Sequence, residues 1–190
     1  VTLEAVPALS VWDGGGGQNN SWSTPQNWVG DVLPFPGDDL EFVHTSVFEL
    51  VTVNDFPAGR AVGAISFDGG YHRLEGNQLA ITRGIRMTQP GEVTLRAPLV
   101  LAASQTFRAD LADSILNVDT IVDLAGHDLS LLAEADTRVG LDGVSGAGTV
   151  RKEGSGHSGV GVTPLTASII VNNGTFAGGA TGGRGRHPGR

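Results

Sequence analysis

Trp12, Trp22 and Trp28 are the side chains best suited to hold a ligand by stacking. Displayed on a surface, three indole faces suit pyranose rings. Buried together, the same rings would close the end of a β-structure, each removing about 150–250 Å² from water. The plug is the simpler reading. The three tryptophans are the ligand-binding residues only if the chain is a glycan-binding adhesin. Asp38, Asp39, Asp55 and Asp68 fall near turns and offer hard oxygen ligands for calcium. No EF-hand or nonapeptide pattern surrounds them, and Asp at a turn usually caps its own backbone. His44, His72, His127, His157 and His187 have no metal-ligand spacing, and the first three are expected at exposed strand edges or turns. No metal or cofactor is therefore expected.

Catalytic signatures are equally thin. Gly154 to Gly159 (G-S-G-H-S-G) fits G-x-G-x-x-G, but no helix and no acidic residue follow where a dinucleotide fold needs them, so a flexible loop is expected. No G-x-S-x-G nucleophile elbow occurs. Arg83, Arg86, Arg96 and Arg108 occupy the zone where a β-helical polysaccharide lyase would keep a basic residue. No carboxylate cluster can be assigned to them, and an enzyme is the third reading, behind a scaffold and an adhesin. The chain is expected not to be an enzyme, and no catalytic residues are assigned.

The elements that must position these residues are strands. Glycine is 29 of 190 residues, roughly twice the usual share. Val, Ile, Leu, Thr and Asp are frequent and strong helix formers are scarce, a β composition with many turns. There is no cysteine, so disulfides and thiolate metal sites are excluded. The formal charge of −8 disfavours nucleic acid and anionic membranes. No apolar run approaches the ~18 residues of a membrane helix.

Many short segments share one signature, two aliphatic residues separated by one. Leu79/Ile81, Ile85/Met87, Val93/Leu95, Leu99/Leu101, Leu116/Val118, Leu129/Leu131 and Val139/Leu141 are the pairs. Residues two apart share a strand face. A stripe two side chains wide is too small to bury itself, whereas many stripes stacked on one another form a continuous core. The connections are mostly two to seven residues and none looks helical. Sequence neighbours therefore pair as antiparallel hairpins, or the chain coils and each strand pairs with the next turn. The coil is preferred, because these segments are shorter than sandwich strands usually are. An antiparallel β-sandwich is the alternative. No strict repeat length is visible, so the rungs are expected to be irregular.

The run Trp12 to Phe42, W-D-G-G-G-G-x-N-N-S-W-S-T-P-Q-N-W-V-G-D-V-L-P-x-P-G-D-D-L-E-F, resembles the start of bacterial surface proteins with autotransporter-associated β-strand repeats. Later stretches are similar too: A-I-S-F-D-G-G-Y-H-R-L-E-G-N-Q-L-A-I, A-P-L-V-L-A-A-S-Q-T-F and V-S-G-A-G-T-V-R-K-E-G-S-G. The likeness spans Val11 to about Gly156. It implies a right-handed parallel β-helix, an extracellular or cell-surface address and a scaffold or adhesive role, with no catalytic residues. His157 to Pro164 replace the repeat that would follow in that family, and the 190 residues include no membrane-barrel translocator. The expectation is a fragment of a longer passenger or a short free-standing member.

The expected organisation is a leader or edge strand at residues 1–10 and an aromatic cap at 11–43. A solenoid body follows at 44–177, then a flexible Gly/Arg-rich tail at 178–190. Expected partners are a second copy docked head to tail, or further repeats continuing the coil, with surface glycans under the adhesin reading. No nucleic acid partner and no membrane insertion are expected.

Overall fold

The computed structural model describes residues 7–43, 48–109, 111–161 and 167–178. Its strands pair in parallel throughout, and they belong to one continuous sheet wound into a coil. Three flat faces alternate along the chain. The first carries β1 (Leu9–Trp12), β2 (Asp39–Val43), the second half of β4 (Arg60–Asp68), the second half of β6 (Leu79–Met87), β9 (Gln105–Ala109), β11 (Leu129–Ala133), β13 (Thr149–Glu153) and β15 (Ser168–Val171). The second carries β3 (Glu49–Asn54), β5 (Gly70–Gly76), β7 (Gly91–Leu95), the first halves of β10 (Ser114–Asp123) and β12 (Arg138–Ser145), β14 (His157–Val160) and β16 (Thr175–Gly178). The third carries the start of β4, the start of β6, β8 (Leu99–Leu101) and the ends of β10 and β12.

The fold is thus a parallel β-solenoid, and the hairpin-paired sandwich is excluded. β4 bonds to β2 and β6, not to β3 or β5. One inward column shows the winding: Leu40, Ile65, Ile85, Phe107, Leu131, Lys152 and Val171 are successive register partners. Their unequal spacing along the chain is why no fixed repeat is legible. All seven aliphatic pairs point inward and all fourteen side chains are buried. Burying each one stabilises the stack by roughly 1.5–3 kcal/mol before conformational entropy is subtracted.

The short segments are longer in places than the pairs suggest. Leu79/Ile81 and Ile85/Met87, read as two segments, share the single bent strand β6. Leu116 and Val118 likewise share a bent strand, β10, with Val122. The chain turns these corners with backbone pairing kept on both sides; at the β6 corner Gly84 takes φ +98°, which a side chain would resist. The expected flexible loop at Gly154–Gly159 is a correction: His157–Val160 form β14, with Ser158 and Val160 facing the core. His72, expected at an exposed position, is buried against Phe67, with ring centroids 5.2 Å apart. His127 is half-buried. Val1 to Val6, His44 and Gly179 to Arg190 lie outside the described residues, so most of the leader and the tail do too.

Candidate functional site

The cap is built from the inside out. Trp12 ends β1 and packs at a tilt on Phe42, its register partner, at 6.0 Å between centroids. Trp28 meets Trp12 edge to face at 5.2 Å, and Trp22 meets Trp28 edge to face at 6.0 Å. Phe42 stacks in turn on Phe67 at 5.4 Å. The three indoles are at most 1% exposed. Their faces are taken up by one another and by phenylalanines, so none is presented to a sugar. The stacking energy goes into sealing the upper end of the core.

Two polar side chains hold this plug in place. Asn27 is buried, and its amide nitrogen donates to the carbonyls of Asn19 (2.6 Å) and Ser21 (3.0 Å). Its carbonyl accepts from the Gly16 amide at 2.9 Å, so donors and acceptor are all used. The carboxylate of Asp38 accepts from the amides of Ala8 (3.0 Å) and Phe35 (2.8 Å), tying β1 to the turn before β2. Arg60 lies over the Phe56 ring at 3.9 Å and donates to the Pro34 carbonyl. Burial lowers its pKa from the ordinary arginine value, an effect that nearby Asp38 partly offsets. The W-S-x-x-x-N-W and P-x-x-G-D-D residues are therefore a fastening, read position by position.

The turn aspartates are engaged in the same local way. Asp55 accepts from the Ser23 amide at 2.8 Å and from its hydroxyl at 2.5 Å. Asp68 accepts from the Thr88 hydroxyl at 3.3 Å, and Asp39 binds Arg83. Among the described residues, no three His, Asp or Glu side chains gather as metal ligands.

At the opposite end the core opens. Lys152, the only lysine, takes an inward position between Leu131 and Val171 and is fully buried. Its ammonium donates to the carbonyls of Glu153 and Gly154, the latter at 2.7 Å. Burial lowers its pKa, and the negative charges of Glu134 and Glu153 restore part of it. One rung further on, Ile169 and Phe176 are only partly buried and Val171 is 47% exposed. Sequence reading missed the lysine's position, although the alternation Val150, Lys152 carries the inward period.

Between the ends, the outer surface of the first face carries arginines. Arg83 donates to Asp39 at 2.7 Å and to the Gly37 carbonyl at 3.1 Å. Arg86 and Arg108 are register partners on adjacent rungs. With Arg83 they line an open cleft of about 660 Å³, floored by Thr82, Gln105 and Thr106. Arg96, the fourth arginine, lies elsewhere, in an ion-pair ladder on the second face. Glu49 and Glu75 contact Arg73 at 3.0 and 2.9 Å, and Arg96 bridges Glu75 and Asp119 at 3.6 and 3.8 Å.

No family model matches the chain. Neither a curated protein nor a solved structure matches it.

Proposed function

We propose that this chain is a non-enzymatic structural protein of the bacterial surface, a β-solenoid rod exported from the cell and extended end to end. The observation that carries this reading is the inequality of the two ends. Three indoles and Phe42 close the first. At the second, Val171 is 47% exposed directly below the buried Lys152, and Ile170 is 37% exposed. Among the described residues β15 and β16 are the last strands at this end, and a rung with bare apolar side chains invites another strand. A second copy docked head to tail, or further repeats of the same coil, would cover it. Heterologous contacts of that kind propagate into fibres. The resemblance of Trp12–Phe42 to autotransporter-type surface proteins supports the extracellular address. The closed core and the local engagement of the turn aspartates support a scaffold over a catalyst.

Electron microscopy and sedimentation of the purified chain test this. Filaments or concentration-dependent oligomers are expected, and Val171→Lys should dissolve them while leaving a cooperative melt. Dispersed monomers across concentration and salt would overturn the end-to-end reading.

A further inference from the structure

We propose that Asn173 is a self-modification site: the Gly174 amide closes on its side chain, and residue 173 becomes aspartate or isoaspartate without an enzyme. This goes beyond the rod reading and does not depend on end-to-end assembly.

Asparagine is followed by glycine at one place in the chain, Asn173-Gly174, in the link between β15 and β16. Glycine has no Cβ to shield its peptide nitrogen from the side chain before it. Both residues are exposed, so water reaches them.

The reacting groups already face each other. The Gly174 amide donates to Asn173 Oδ1 at 2.8 Å. A nitrogen bonded to Oδ1 lies beside Cγ, the carbon it attacks, and groups held so react as an intramolecular pair. The backbone on either side is fixed: Asn172 donates to the Lys152 carbonyl at 3.0 Å and Thr175 to the Gly156 carbonyl at 3.1 Å. Gly174 takes φ +76°, and a Cβ there would fall 2.6 Å from the carbonyl oxygens of Gly154 and Gly156. Packing therefore keeps this position glycine.

Other asparagines lack the arrangement. The amide nitrogens of Asn27, Asn54 and Asn77 are committed to backbone carbonyls, and that of Asn172 to the Glu153 carboxylate at 2.6 Å. Asn19, Asn20 and Asn117 are followed by residues with side chains. The amide nitrogen of Asn173 has no hydrogen-bond partner among the described residues, so it is free to leave.

The Gly174 nitrogen loses its proton to water or hydroxide and bonds to Asn173 Cγ. The Cγ–Nδ2 bond breaks and ammonia departs. Water then opens the cyclic imide. Opening at Cγ gives aspartate; opening at the main-chain carbonyl gives isoaspartate, with one methylene added to the backbone. Either product puts a carboxylate into a turn that packs on the Lys152 ammonium, since a Cβ on Gly174 would lie 3.0 Å from Nζ. The open end of the coil thus changes charge after synthesis.

Incubation of the intact folded protein at neutral and mildly alkaline pH tests this. Peptide mass spectrometry, with fragmentation that separates isoaspartate from aspartate, reads each asparagine. Asn173 is expected to convert roughly tenfold or more ahead of every other asparagine, faster as pH rises, and to give both products. The folded protein should convert it at least as fast as the same chain unfolded in urea. Asn173→Gln, at an exposed position, should melt like the parent and show no conversion at residue 173. Slower conversion in the folded protein than in urea would overturn the proposal, because the fold would then hold the reacting atoms apart. Aspartate without isoaspartate would mean direct hydrolysis and also overturn it, as would equal conversion at Asn172.

Discussion

Arg83 reaches Asp39 across two rungs of the coil, and it does so over Gly63. Its guanidinium lies 2.7 Å from the Asp39 carboxylate. A Cβ built on Gly63 overlaps both groups. Gly63 also sits where the β4–β6 register shifts, between Val62 and Ala64. The glycine thus leaves room for the ion pair passing above it, while the same carboxylate caps the Ala64 amide.

Gly63→Ala is expected to displace the exposed Arg83–Asp39 pair and to destabilise the fold by up to about 1 kcal/mol, the worth of such a pair. In an Arg83→Ala background the same substitution should cost measurably less, because one of the two overlapping groups is gone. The exposed ion pair alone should contribute no more than about 1 kcal/mol. Denaturant unfolding of the four proteins in the cycle measures the coupling. Strict additivity would contradict the geometry.

Asn27 gives a second prediction. It satisfies three backbone groups of the cap at 2.6 to 3.0 Å from a buried position. Asn27→Asp turns its donor into an acceptor facing the Asn19 and Ser21 carbonyls. A loss of about 2–3 kcal/mol or more is expected, since buried groups are left unpaired. The buried indoles should report it as red-shifted tryptophan emission at a lower denaturant concentration. An unchanged midpoint would show that the amide does not fasten the cap.

Lys152 makes stability depend on pH in the alkaline range. Its folded pKa is lowered from 10.5, chiefly by burial. Between the folded and unfolded values the unfolded chain binds more protons than the native one, so this group's contribution rises with pH there. Lys152→Met keeps an apolar stem in the column and removes the charge. It should abolish that rise without lowering stability at neutral pH. Lys152→Ala should cost roughly 2–5 kcal/mol, as truncation of a long core side chain does. Equal losses for Met and Ala would mean that the bonds to Glu153 and Gly154 outweigh the burial of the charge.

The stacking rule was legible because it is written in pairs of aliphatic residues, and each pair is in the core. What escaped was written otherwise. β9 presents one large inward residue, Phe107, followed by Ala109. β14 uses Ser158 and Val160 between glycines, so its inward period is carried by small side chains. Lys152 hides an inward position because its apolar stem and charged head belong to different environments. The cap motif was legible as a motif, and its tryptophans as a plug. The roles of Asn27 and Asp38 were not, since hydrogen bonds over long sequence separations leave no periodic trace. The arginine cleft was visible only as residue types. Its geometry depends on Arg86 and Arg108 falling in register, which unequal coil lengths conceal.

The stack itself can be measured with a ruler. Glu41, Ser66, Arg86, Arg108, Leu132 and Glu153 form one outward column of successive register partners. The chain has no cysteine, so Glu41→Cys/Glu153→Cys can be spin-labelled cleanly. Five rung steps of ~4.8 Å place those backbone positions about 24 Å apart. Double electron–electron resonance on dilute monomer should give one peak near that separation, broadened only by the label arms. A different dominant distance, or a distribution spanning many, would contradict the coil-on-coil arrangement.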